Sequence, residues 1–169
     1  MSQVTSYKGL QKIYFIKILK EIINIGNLKN PKKIILDYGC GKKQLSKLLN
    51  KKIFNYDKKK YLSEVDDINK IKFNVIVVNH VLMYLNKKEV IDLFDSIKKK
   101  NPKCEFIFGI GKQNIVSKVA KTLTFNFDAH KDTLMSYSEQ LDLIQTKLKI
   151  IKIKKNIFFM TDIIHANFK

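Results

Sequence analysis

The sequence predicts an α/β fold, a mostly parallel sheet with helices on both faces. Two observations carry that expectation. Short apolar runs rich in β-formers alternate with segments whose apolar residues recur every three or four positions. A glycine-bearing turn, Gly39-Cys40-Gly41, joins the first such run to the segment behind it. Alternating strands and helices imply parallel strands joined by right-handed crossovers.

The opening segment reads as a helix. Leu10, Ile13, Tyr14, Ile18, Ile22 and Ile25 keep helical spacing with Lys12, Lys17 and Lys20 between them, and Gly26 supplies a stop. Pro31 breaks the chain before Lys33-Ile34-Ile35-Leu36-Asp37. A near-continuous apolar run needs cover on both faces, so it reads as a buried parallel strand. Leu45, Leu48 and Leu49 mark a short helix, and Ile53 to Asp57 the second strand. Val65 to Ile68 is expected as a short third strand and Phe73 to Val78 as a fourth. Asn86, with Glu89 three residues on, forms a capping box for a helix through Val90, Ile91, Phe94 and Ile97. Asn101-Pro102 ends that helix.

Cys104 to Phe108 is the next strand, stopped by Gly109 and Gly111. Residues 112–134 carry no clear period. Ser136 and Glu139 form a second capping box, opening a helix with Leu141, Ile144 and Leu148. Lys149 to Ile153 and Ile163 to Phe168 complete the set as two final strands.

Composition narrows the function classes. A chain of 169 residues, 45% hydrophobic, is long enough to bury a core and fits one domain over residues 1–169. No apolar run reaches the length of a membrane span, and Met1 to Lys12 lacks a signal-peptide pattern. Two cysteines, Cys40 and Cys104, make no disulfide framework and suit a reducing, cytoplasmic setting. The net charge of +18 attracts phosphate, yet every basic residue is lysine. Arginine, the favoured side chain for bidentate reading of guanine, is missing. The lysines fall in short runs at element ends, such as Lys58 to Lys60 and Lys98 to Lys100, and read as solvated surface. Specific nucleic-acid recognition is therefore not expected.

In open parallel sheets, ligands bind beyond the carboxyl ends of the strands. That places the chemistry in the loops after Asp37, Asp57, Asn79 and Phe108. Asp37-Tyr38-Gly39-Cys40-Gly41 is the deciding motif. Its glycines permit positive φ and close backbone approach, and the helix behind presents free N–H groups to an anion. Asp57, at the end of the second strand, is placed to accept hydrogen bonds from ribose hydroxyls. The dinucleotide fingerprint calls for a third glycine where this chain has Gln44, which disfavours nicotinamide and flavin cofactors.

These residues resemble the first motif, D-x-G-C-G-x-G, of the class I S-adenosylmethionine-dependent methyltransferases, with Lys43 in place of the last glycine. The resemblance implies a Rossmann-like fold: a mostly parallel seven-stranded sheet whose final strand is antiparallel. It assigns Asp37, Tyr38, Gly39, Cys40 and Gly41 to the cofactor, with Asp37, Gly39 and Gly41 along its methionine half. Asp57 matches the ribose acid, Asp66 or Asp67 the acid near the adenine, and Asn79 opens the loop after the fourth strand. A histidine common in that loop is Tyr84 here. No metal ligand set is assigned.

Other candidates keep two readings each. Cys40 is either a thiol activated by the helix start or a small packing residue. Lys42 and Lys43 either neutralise a cofactor carboxylate or sit solvated at a helix end. His80 and His130 are the candidate catalytic acid–base groups, since imidazole titrates near neutral pH. Phe125, Phe127 and Tyr137 either wall an acceptor pocket or pack in the core. The expected activity is methyl transfer from S-adenosylmethionine to a small-molecule or sugar-like acceptor, held by the N-terminal helix (1–26) and residues 110–135. The alternatives are an RNA or DNA methyltransferase and a non-catalytic cofactor-binding module acting through a partner.

Overall fold

The computed structural model describes residues 9–112 and 133–169. Helix α1 (Gly9–Ile25) leads into strand β1 (Ile35–Tyr38), and the short α2 (Gln44–Leu49) into β2 (Phe54–Tyr56). Strand β3 (Val75–Asn79) precedes α3 (Lys87–Lys100) and β4 (Glu105–Gly111). Helix α4 (Tyr137–Lys147) then runs directly into β5 (Leu148–Ile157), which turns back as β6 (Thr161–Phe168).

One sheet holds all of these strands in the order β2-β1-β3-β4-β6-β5. Strands β1 to β4 pair in parallel, and β6 is antiparallel to both β4 and β5. The final strand is thus antiparallel, as expected. The strand count is corrected: the sheet has 6 strands among the described residues, not seven.

The missing strand is Val65 to Ile68, and local polar side chains explain its loss. Ser63 Oγ accepts from Asp57 N–H and Val65 N–H at 3.1 and 3.3 Å and donates to Val65 O at 2.7 Å. Asp67 caps a 3₁₀ turn at Ile68–Lys70, its Oδ1 accepting from Asn69 N–H at 2.8 Å. Such side chains satisfy the backbone locally and compete with a ladder. Among the described residues a single backbone–backbone hydrogen bond, Glu64 N–H to Asn55 O at 2.8 Å, joins this segment to the outer edge of β2.

Side-chain alternation divides the core into two layers. Leu36, Ile76, Val78, Phe106, Phe108 and Ile164 face the layer of α3 and α4, where Val90, Phe94 and Ile144 are buried. Ile35, Val75, Val77, Ile107 and Ile163 face Ile18 and Ile22 of α1 and Leu45 of α2. Burial on both faces is why these strands read as unbroken apolar runs. Both capping boxes form, Asn86 with Glu89 and Ser136 with Glu139. No helix among the described residues is long and apolar enough to cross a membrane.

Candidate functional site

The carboxyl ends of β1 to β4 define one edge of the sheet, and the turn after β1 is its centre. Gly39 has φ +82° and Gly41 φ +49°. Gly39 N–H and Cys40 N–H both donate to Tyr56 O, at 2.8 and 3.0 Å, which clamps the turn to the end of β2. A Cβ on Gly39 would stand 2.2 Å from Val81 Cγ2, so glycine is required for the turn to close over the loop after β3. Around Gly41 the space is open, with nothing within 4 Å of such a Cβ.

Two carboxylates converge here. Asp57 ties the turn to the second strand: its Oδ2 accepts from Gly41 N–H at 3.1 Å and its Oδ1 from Lys59 N–H at 2.9 Å. Each oxygen keeps a lone pair for a hydroxyl donor. Asp37 is buried, and among the described residues nothing donates to its side chain. Burial, reinforced by the charge of Asp57, pushes its carboxyl up to about 7.

The other motif residues sort differently. Tyr38 packs its ring against Tyr56 in the α3–α4 layer, and burial pushes its phenol up to about 12. Cys40 is buried, with Sγ 3.7 Å from Leu62 O. Burial first, then the charges of Asp37 and Asp57, push its thiol up to about 12. Because the thiolate is the nucleophile, a buried thiol so raised fits the packing reading of Cys40. Lys43 adopts the left-handed conformation that a glycine takes freely, φ 57°, and its Nζ pairs with Glu64 Oε1 at 2.7 Å. It points along the turn toward Glu64, while Lys42 is exposed. Asp66 is exposed, and Asp67 is spent on the cap of the 3₁₀ turn.

The loop after β3 closes the site from the other side. Asn79 Oδ1 is buried with no hydrogen-bond partner among the described residues, poised over Gly109, where a Cβ would stand 2.1 Å from it. His80 is left-handed, φ 54°, with its N–H donating to Gly109 O at 2.8 Å. Its ring lies over Gly111 and edge-on to Phe15, and its Nε2 is 3.2 Å from Thr161 Oγ1. Thr161 is 2.5 Å from the Tyr14 hydroxyl. His130, Phe125 and Phe127 lie outside the described residues.

Sequence reasoning missed a second cluster at this edge. Asp162, fully buried, pairs with Lys112 Nζ at 2.8 Å and accepts from Tyr137 Oη at 2.6 Å. Burial, with that hydrogen bond, raises the Tyr137 phenol. The available signal was the polar pair Thr161-Asp162 directly before the apolar run of β6. Tyr14 had no separate signal, because it occupies an apolar position of the α1 period.

Two open clefts lie elsewhere. One, of about 410 Å³, runs beside β2 between Ser46, Asn55 and Glu64, and the other lies at the amino end of the sheet by Phe73 and Asn101. Neither touches the glycine turn.

No protein-family model and no curated protein matches the chain. Solved structures do. The PH0226 protein from Pyrococcus horikoshii OT3 superposes with a TM-score of 0.68 at 14% identity, over 100% of this chain and 96% of that one. Magnesium protoporphyrin IX methyltransferase from Synechocystis PCC 6803, with bound S-adenosylhomocysteine, gives 0.61 at 13% identity over 98% and 90%. The small RNA methyltransferase HEN1 gives 0.63 at 10% identity, over 100% of this chain and 26% of its own. At these identities the likeness is one of fold.

Proposed function

We propose that this chain, which has the fold of the class I S-adenosylmethionine-dependent methyltransferases, binds that cofactor at the carboxyl edge and transfers its methyl group to a small-molecule or sugar-like acceptor. One observation carries the reading: two carboxylates, Asp37 and Asp57, converge on a single glycine turn, and Asp37 is buried there without a partner among the described residues. A buried carboxylate in need of a cation suits the ammonium of a bound amino acid. Asp57 suits a ribose, and the orphan Asn79 Oδ1 accepts a further donor.

The bound cofactor supplies a methyl group made electrophilic by its sulfonium. The protein's own task is alignment: the turn, Asp37 and Asp57 hold one reactant, and the loop after β3 orients the other. Lys43 does not disrupt this arrangement, because it keeps the backbone conformation of the glycine it replaces and turns its charge to Glu64. That supports turnover over a non-catalytic module.

Calorimetry with S-adenosylmethionine, S-adenosylhomocysteine and NAD tests the assignment. The first two are expected to bind and to raise the melting temperature with concentration, and NAD to do neither. Asp57→Ala is expected to weaken S-adenosylhomocysteine binding by about 1.5–3 kcal/mol, the worth of a hydrogen bond to a charged group. No heat and no melting shift with either adenosyl ligand in the parent protein rejects the reading.

A further inference from the structure

Three polar side chains from three separate elements meet at the carboxyl edge of β3 and β4, the same edge that carries the glycine turn after β1. Tyr14 comes from α1, Thr161 is the first residue of β6, and His80 follows β3. Tyr14 Oη lies 2.5 Å from Thr161 Oγ1, which lies 3.2 Å from His80 Nε2. Thr161 is completely shielded from solvent, while Tyr14 and His80 are half-buried. The centre of the bridge is therefore buried, and its two end residues are part-exposed.

Chemistry gives the bridge a direction. A phenol is the most acidic hydroxyl of the set, and imidazole nitrogen the strongest neutral acceptor. Tyr14 then donates to Thr161, and Thr161 to a bare Nε2 of His80. The backbone is built to hold that geometry. His80 is one of the few non-glycine residues with positive φ, and it is held there by Gly109 O. Its ring occupies the space a side chain at 111 would need: a Cβ there would stand 3.0 Å from Nδ1 and Cε1. Strain of this kind persists only where the surroundings over-determine it, and it gathers at functional sites. The charged pair nearest along β6, Asp162 with Lys112, belongs to the opposite layer, since Asp162 pairs with Ile110 and Thr161 with Gly111.

We propose that Tyr14, Thr161 and His80 form a proton relay that takes the proton released by a hydroxyl or amine acceptor during methyl transfer. This rests on the methyltransferase reading. The acceptor's lone pair forms the new bond to the methyl carbon, and the sulfur keeps the electrons of the bond that breaks. The acceptor's proton passes to Tyr14 Oη as Tyr14's own proton moves to Thr161 Oγ1 and Thr161's to His80 Nε2. His80 ends as imidazolium and loses its proton to solvent. His80 is the terminal base, and Tyr14 is the residue that meets the acceptor.

Imidazole ¹⁵N NMR on the full chain, with His80 assigned through His80→Gln, tests the relay. Neutral His80 is expected as the Nδ1–H tautomer, with Nε2 unprotonated. Tyr14→Phe and Thr161→Val are each expected to shift it toward Nε2–H, and Thr161→Ser to retain it. A packing role alone leaves the tautomer unmoved in Tyr14→Phe, because the ring stays. An Nε2–H tautomer in the parent, or no change in Tyr14→Phe, overturns the relay. Should Thr161→Val not fold, Tyr14→Phe and Thr161→Ser decide alone. The measurement uses no cofactor, so its failure is distinct from failure to bind S-adenosylmethionine in the calorimeter.

Discussion

Asp37 is the residue on which pH acts most directly. Its folded value near 7 lies above the ordinary carboxylate value of 3.8, so the native state holds this proton more tightly than the unfolded chain. That contribution to stability is fully present below the ordinary value and is lost as pH rises toward about 7. In the ligand-free protein, Asp37→Asn is therefore expected to raise the melting temperature relative to the parent at pH 8. The gap is expected to close, or reverse, toward pH 5. The same variant is expected to bind S-adenosylhomocysteine more weakly at pH 8, because an amide cannot neutralise an ammonium. Thermal melts and calorimetry across pH check both halves. Lys43 carries a second residue-scale prediction. Its left-handed backbone costs a non-glycine residue about 1–2 kcal/mol. Lys43→Gly and Lys43→Ala both lose the Glu64 pair, so comparing them isolates the backbone. Lys43→Gly is expected to be the more stable of the two by about 1 kcal/mol in denaturant titration.

Among the elements, the helix starts were the most legible part of the chain. Asn86 Oδ1 accepts from Glu89 N–H at 2.9 Å, and Glu89 Oε2 returns to Asn86 N–H at 2.8 Å. A cap is specified within four residues, so spacing alone reveals it. Asn86→Ala is expected to cost about 0.5–2 kcal/mol in chemical unfolding, with S-adenosylhomocysteine affinity unchanged. Glu89 does more than the pattern discloses, since it also reaches Lys58 at 2.6 Å and ties α3 to the loop after β2. The expected strand at Val65 to Ile68 failed for an equally local reason. Two apolar positions, Val65 and Ile68, cannot form a strand when Ser63 and Asp67 bond the local backbone instead. Strand β5 shows the opposite outcome. It is ten residues long at the sheet's edge, and Lys149, Lys152, Lys154 and Lys155 on it discourage pairing with another chain.

At the scale of the whole molecule, charge is the dominant feature, and the structure shows where part of it goes. Lys33 pairs with Glu105, Lys112 with Asp162, Lys147 with Asp95, and both Lys17 and Lys154 with Glu21. The surplus remains large at +18. Binding to a single-stranded RNA oligonucleotide is expected to be sequence-blind and to fall steeply between 50 and 200 mM salt, as counterion release requires. A preference for one sequence that survives near physiological salt, read by fluorescence anisotropy, would favour an RNA acceptor. Residue spacing carries the layered α/β plan, the glycine turn with Asp37 and Asp57, and both capping boxes. Each of these depends on spacing within one element or between neighbours in the chain. Tertiary structure decides that, among the described residues, Asp37 is buried without a hydrogen-bond donor and Asn79 Oδ1 lies over Gly109 without a partner. It alone joined Tyr14 to Thr161, 147 positions apart, and Thr161 to His80, 81 apart. Such contacts depend on strand order and register, and a one-dimensional pattern carries no record of which edges the sheet brings together.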